Sequence, residues 1–151
     1  MAGSYDPNQV GIDADATLAW YNEEWLGSWN THDEEWVLRT LAEDATFDDS
    51  AWRTKFVGAE GWKVPIGQLW SAFPDLRFEL VSGPYMLAGE PGAAFIYKGL
   101  ATMTGALGKD AATNKTYELE ACEIFTFRDG LIKTWWNRTD MVDLKKQVGL
   151  L

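Results

Sequence analysis

The chain has one cysteine, Cys122, and one histidine, His32. A lone cysteine leaves no internal disulfide and no Cys-based zinc site, and a lone imidazole leaves neither a multi-His metal centre nor, within a helix-cap motif, a free base for a Ser-His-Asp triad. Basic residues are scarce: 13 Lys+Arg face 23 Asp+Glu, a formal charge of −10 with a pI near 4.4. Such a surface repels phosphate backbones and anionic bilayers, so neither nucleic acid nor membrane is an expected partner. No stretch approaches the roughly 18 apolar residues of a membrane span. The opening Met1 to Asn8 has no basic segment followed by an apolar one, which predicts a cytoplasmic protein. A phosphate-binding Gly loop and a β-α-β alternation are also missing, so no nucleotide cofactor is expected.

Aromatic residues are plentiful. There are nine Trp, seven Phe and five Tyr in 151 residues, and 46% of the chain is hydrophobic, enough for one sizeable core. No repeat or low-complexity tract divides it, and the expected organisation is an arm over residues 1–12 and a single domain over 13–151. Leu18, Tyr21, Trp25 and Trp29 recur at helical spacing. Thr31 to Glu34 fits an S/T-x-x-E capping box ahead of a short second helix with Val37, Leu38 and Leu41. Ala45 to Asp49 predicts a brief strand. Trp62, Ile66, Leu69, Trp70 and Phe73 restore helical spacing, with Pro65 in the first turns and Pro74 as the stop. Beyond Pro74 the period becomes two. Strands are expected at about 76–80, 84–88, 93–104, 116–128 and 131–137, with a break at Ser82-Gly83-Pro84 and a tight turn at Asp129-Gly130, and Asp140 caps a last short helix. Helices followed by hairpin-linked strands predict an α+β fold: a curved antiparallel sheet wrapped around three N-terminal helices, with a short C-terminal one.

The most informative segment is Tyr117 to Phe127. As one strand it puts Tyr117, Leu119, Ala121, Glu123, Phe125 and Phe127 on one face, so Glu123 sits among apolar side chains. A carboxylate there must be paired, protonated or open to a cavity, and burial raises its pKa toward the range useful in acid–base catalysis. The alternatives are a structural salt bridge or a bulge that turns it outward. Asp48-Asp49 is the second candidate: neighbours on a strand face opposite ways, so one points inward. Trp20, Trp25, Trp29, Trp62, Trp70, Trp135 and Trp136 lie on elements that must meet, and a cavity lined by several favours a flat aromatic ligand, although core filling accounts for most of them. Trp135 and Trp136 cannot both face the core, and the outward one marks a subunit contact. Asp48, Asp49 and Glu123 form no metal-ligand spacing motif, so no metal is expected. Cys122 falls on the face opposite Glu123.

Leu41 to Asp49, Phe127-Arg-Asp-Gly-Leu-Ile132 and the tail Asp140 to Leu150 together resemble the SnoaL-like polyketide cyclases of the NTF2-like superfamily, over roughly residues 13–151. That superfamily also holds ketosteroid isomerase, scytalone dehydratase and limonene epoxide hydrolase, all built on a cone-shaped pocket. The resemblance implies a catalytic set of Asp49, at the isomerase's general-base position, Glu123, at its oxyanion-hole acid, and Asn137, where the cyclases carry their catalytic Asp. It departs from the cyclases at Glu123, where they have His, and from the isomerase at Trp25, where that enzyme has a hydrogen-bonding Tyr. Tyr21, Trp25, Phe47, Trp62, Tyr97 and Trp135 are the expected substrate-binding residues. A homodimer or higher oligomer is also implied.

These readings converge on a cofactor-independent lyase, isomerase or cyclase. It would act by proton transfer on a hydrophobic aromatic or polycyclic compound, polyketide- or lignin-derived, through aldol, retro-aldol, dehydration or double-bond-shift chemistry. Two alternatives remain. One is a non-catalytic hydrophobic-ligand-binding or assembly module. The other is an epoxide hydrolase, which needs an Arg between two carboxylates, with Arg53 or Arg138 to supply it.

Overall fold

The computed structural model describes residues 3–52 and 54–151. A helical layer packs into the concave side of a six-stranded sheet. The helices are α1 (Ala14–Trp20), a π-helical turn (Tyr21–Trp25), α2 (Leu26–Asn30), α3 (Glu34–Arg39) and α4 (Gly58–Ala72), with α5 (Met141–Gln147) near the C-terminus. The strands are β1 (Leu41–Asp49), β2 (Phe56–Val57), β3 (Arg77–Met86), β4 (Gly92–Thr102), β5 (Thr116–Arg128) and β6 (Leu131–Thr139), in the spatial order β2-β1-β6-β5-β4-β3. Every pairing is antiparallel except β1 with β6, which is parallel, so the sheet is mixed. Hairpin periodicity predicted the antiparallel pairs among β3 to β6, but not that of β2, which falls in a stretch without periodicity. The parallel one joins elements some 80 residues apart, which no local turn signal reports.

α1, the π turn and α2 form one continuous helix rather than the regular one expected from Asp13 to Trp29. Asp13 caps its start by accepting from the Ala16 amide. Inside the π turn the Leu26 amide donates to the Tyr21 carbonyl, five residues back, so Trp20 and Trp25 stack with centroids 6.1 Å apart. The capping box is also corrected. Asp33 caps α3 by accepting from the Trp36 amide, and the Thr31 hydroxyl instead donates to the Gly27 carbonyl at the end of α2. His32 lies between them with φ 54°, stacked on Trp70 and 2.8 Å from the Leu76 carbonyl. Asp33 stands immediately before the first helical residue, where its carboxylate reaches the free amides, and Asp is a stronger cap than a Thr two residues earlier.

α4 begins at Gly58, a turn earlier than predicted, which places Pro65 well inside the helix rather than in its first turns. The helix ends before Pro74, with Phe73 already out of helical geometry. The predicted break at Ser82-Gly83-Pro84 is not one. β3 runs through it with two register irregularities and a cis Gly83–Pro84 bond. β3 is an edge strand, where a residue without an N–H removes no interior ladder bond. Asp129 and Gly130 both have positive φ, the mirror-image turn that matches strand twist.

The main core cluster joins Trp20, Trp25, Trp29, Phe47, Trp62 and Phe125; a second, around Phe73, Met103, Tyr117 and Leu144, seats α5. Val10, from the N-terminal arm, is buried in the first. Apolar alternation on β4 and β5 sets which side of the sheet meets the helices, and thereby fixes the facing of every residue in register with it.

Candidate active site

Asp49 on β1 pairs in register with Asn137 on β6, Asn137 with Glu123 on β5, and Glu123 with Phe95 on β4. Residues in register share a face, so one row of side chains crosses the sheet toward the helices. All three polar members are buried: Asp49 is 8%, Asn137 4% and Glu123 2% exposed. With strands about 4.8 Å apart, the two acidic Cα atoms stand roughly 10 Å from each other, with Asn137 between them. Asp48 takes the other face, pairing with Arg138 at 3.2 Å.

Glu123 is held by three donors. The Tyr21 hydroxyl donates to Oε1 at 2.5 Å, the Trp25 indole to Oε1 at 3.2 Å and the Trp135 indole to Oε2 at 2.8 Å. Tyr21 and Trp25 are the two ends of the π turn, so the irregularity in the first helix places both donors on one carboxyl oxygen. The Tyr21 ring is itself stacked on Phe95 at 3.8 Å. Burial pushes Glu123 up to about 7, against these hydrogen bonds and helped by the charge of Asp49. The donors saturate Oε1 and leave Oε2 one open position. A neutral glutamic acid would carry its proton there; a carboxylate would take one there.

Asp49 accepts from the Ala51 amide at 2.8 Å and from the Asn137 side-chain amide at 3.2 Å. Asn137 in turn accepts from the Tyr97 hydroxyl at 2.7 Å, which orients the amide. Burial raises the Asp49 pKa as well, opposed by those hydrogen bonds and by Arg138. Burial and nearby carboxylates raise Tyr97 and Tyr21 far above the usual phenol range, so both remain donors.

A cavity of about 270 Å³ opens onto this row. Asp49, Asn137, Glu123 and Tyr97 form its polar part, and Trp25, Trp62 and Trp135 its aromatic wall. Two expected substrate-binding residues lie elsewhere. Tyr21 stands behind Glu123 and is given to it, and Phe47 is fully buried, stacked on Trp62 at 4.5 Å. Both face inward as the sequence implied, but Glu123 stands before Tyr21 and the Trp62 ring before Phe47. Sequence reasoning missed the remaining wall: Leu107 and Asp110 from the β4–β5 loop, Tyr117 and Leu119 from β5, and Met141, Leu144 and Lys145 from α5. The loop has no periodicity, and nothing local says that α5 folds back over β5.

Arg138 stacks on Trp136 at 3.8 Å on the outer face of the sheet, away from the cavity, and Arg53 lies outside the described residues. Trp136 is the outward member of the Trp pair, 37% exposed. Among the described residues no group of three or more His, Cys, Asp or Glu comes together in a way that could hold a metal ion, and no helix is long and apolar enough to cross a membrane.

The sequence model of the family described as SnoaL-like polyketide cyclase matches residues 18–148. No curated protein matches the chain. Among solved structures, AclR of Streptomyces galilaeus superposes with a TM-score of 0.73 at 23% identity, over 90% of this chain and 83% of that one. IdmH of Streptomyces antibioticus gives 0.69 at 20% identity, over 85% and 95%. A SnoaL-like protein of Jannaschia sp. CCS1 gives 0.73 at 14% identity, over 100% and 99%. At such identities the likeness to solved structures is one of fold.

Proposed function

This chain belongs to the SnoaL-like polyketide cyclase family, and on that footing we propose that it is a cofactor-independent enzyme that moves protons on a hydrophobic, oxygenated aromatic or polycyclic substrate. The observation that carries the reading is the row Asp49–Asn137–Glu123 on one wall of a cavity lined mainly by aromatic and aliphatic side chains. Two buried carboxyls that repel each other's charge favour the state in which one is ionised and the other neutral, which is an acid–base pair.

The chemistry follows from which oxygens are open. Asp49, oriented through Asn137 and Tyr97, takes a proton from a C–H or O–H of the substrate. The electron pair left behind moves onto a substrate carbonyl. Neutral Glu123 donates from Oε2 to that developing oxyanion and, with a pKa near 7, gives up its proton where the product needs it. Ring closure by attack of the enolate on a second carbonyl forms one C–C bond and leaves a hydroxyl. The same positions run the reverse cleavage, a dehydration or a double-bond shift. The cavity holds a ligand of two or three fused rings.

The test is turnover of a panel of polycyclic ketones and lignin-type aromatic compounds, followed by mass spectrometry for wild type, Asp49→Asn and Glu123→Gln. The expected result is an isomeric, dehydrated or cleaved product, formed about 100-fold or more slowly by either variant. Full turnover in both variants would refute the site. Saturable binding with no product across the panel would leave a ligand-binding module.

A further inference from the structure

Two indole N–H groups on the helical side of the cavity have no hydrogen-bond partner among the described residues. Trp29, from α2, and Trp62, from α4, both form part of the cavity wall, are 3% and 1% exposed, and carry a buried, unpaired Nε1. By contrast, the Trp25 and Trp135 indoles of the same wall both donate to Glu123. Buried donors without acceptors are rare because each forfeits its hydration with nothing in return. An indole donates only, so the missing partner is an acceptor.

The two rings come from different helices, stand 6.5 Å apart at 78°, and pack edge-on against Trp25 and Trp135, the two indoles that hold Glu123. Around them the wall is apolar, with Leu26, Pro65, Ile66 and Leu69. The one cation of the cavity wall among the described residues, Lys145, comes from α5 and not from these helices, so nothing in this part of the wall neutralises an anion. We infer that Trp29 and Trp62 form a binding subsite for a neutral oxygen acceptor of the ligand, a ketone or quinone carbonyl or an aryl ether. It receives one or both indole N–H groups at the helical wall, beside the Trp25 and Trp135 rings. The inference rests on the reading that the cavity takes an oxygenated ring system, and not on whether the protein turns it over. It adds a specificity element: the ligand needs one oxygen function at the carboxyls and a second at the Trp29–Trp62 pair, and a plain hydrocarbon of the same shape is disfavoured.

Trp70 supplies the internal control. Its Nε1 is also buried and unpaired, but the ring stacks on His32 and takes no part in the cavity wall.

The experiment compares 9-fluorenone with fluorene, which share a shape and differ by one carbonyl. Affinities are measured calorimetrically for wild type, Trp29→Phe, Trp62→Phe, the double variant and Trp70→Phe. Wild type should prefer the ketone, each cavity variant should cut that ketone-over-hydrocarbon preference by roughly 3- to 10-fold, and the Trp70→Phe preference should stay near wild type. In parallel, the indole N–H resonances of Trp-labelled wild type are followed by NMR. Those of Trp29 or Trp62 should move downfield with fluorenone and not with fluorene, a readout that survives if a variant fails to fold. A ketone preference retained by the double variant, or indole resonances that respond alike to both probes, overturns the subsite while leaving the cavity as a ligand site. If neither probe binds, the reading of the cavity itself falls, and the subsite with it.

Discussion

The Tyr21 hydroxyl lies 2.5 Å from Glu123 Oε1, across 102 residues of sequence, and a π-helical turn places it there. A donor to the ionised form favours that form and lowers the pKa. Tyr21→Phe therefore raises Glu123 further above 7, by about one unit, while Phe95 still packs the ring. Carbon-13 NMR of glutamate-labelled protein checks this, since one Glu titrates in that range. An unchanged midpoint would mean that the hydroxyl does not hold the carboxylate.

Glu123 makes the protein less stable as pH rises. Its folded-state pKa, about 7, lies above the ordinary 4.5, so between those values the native state holds a proton that the unfolded chain has lost. Stability is full below about 4.5, declines through the window and levels off above 7, a loss of about 3 kcal/mol or on the order of 10 °C in Tm. Asp49 acts in the same direction. In Glu123→Gln the decline from pH 5 to 7.5 flattens, as calorimetry at several pH values will read. The variant also carries a fixed cost. A Gln amide placed against the Trp135 indole sets donor against donor.

Arg138 separates the proton-transfer reading from epoxide hydrolysis. Its guanidinium is engaged on the outer face by Asp48, the Asn137 carbonyl and the Trp136 ring. Arg138→Gln is expected to keep turnover within about threefold of wild type and to cost about 1 kcal/mol of stability, because half-exposed ion pairs contribute little. A loss of two or more orders of magnitude in steady-state turnover would bring an Arg back into the chemistry.

Gly105 anchors the β4–β5 loop at the cavity mouth. Its amide donates to the Ala72 carbonyl at 3.1 Å, and a Cβ built there would stand 1.9 Å from the Ser71 carbonyl oxygen. That oxygen belongs to backbone and cannot step aside, so Gly105→Ala must shift the loop that carries Leu107 and Asp110. Denaturant unfolding should show a loss of about 2 kcal/mol or more. Ligand affinity should fall with it, since the same loop walls the cavity.

Much of this was legible in the sequence wherever structure repeats locally. The period of two from Tyr117 to Phe127 placed Glu123 on the buried face, and the doublets Asp48-Asp49 and Trp135-Trp136 announced that one member of each must turn inward. Burial of Glu123 and its raised pKa follow from that pattern, because strand alternation is a property of the backbone alone. Three things were settled only by the tertiary structure. Asp49 rather than Asp48 faces in because β1 pairs in parallel with β6, and a one-residue slip would have exchanged them. Tyr21 belongs to Glu123 rather than to a ligand because the first helix widens by one residue, which a helical hydrophobic pattern does not distinguish from a regular turn. The outer wall of the cavity was settled by α5 and the β4–β5 loop, which meet β5 through contacts far apart in the chain. Spacing on a single element cannot encode where another element will dock.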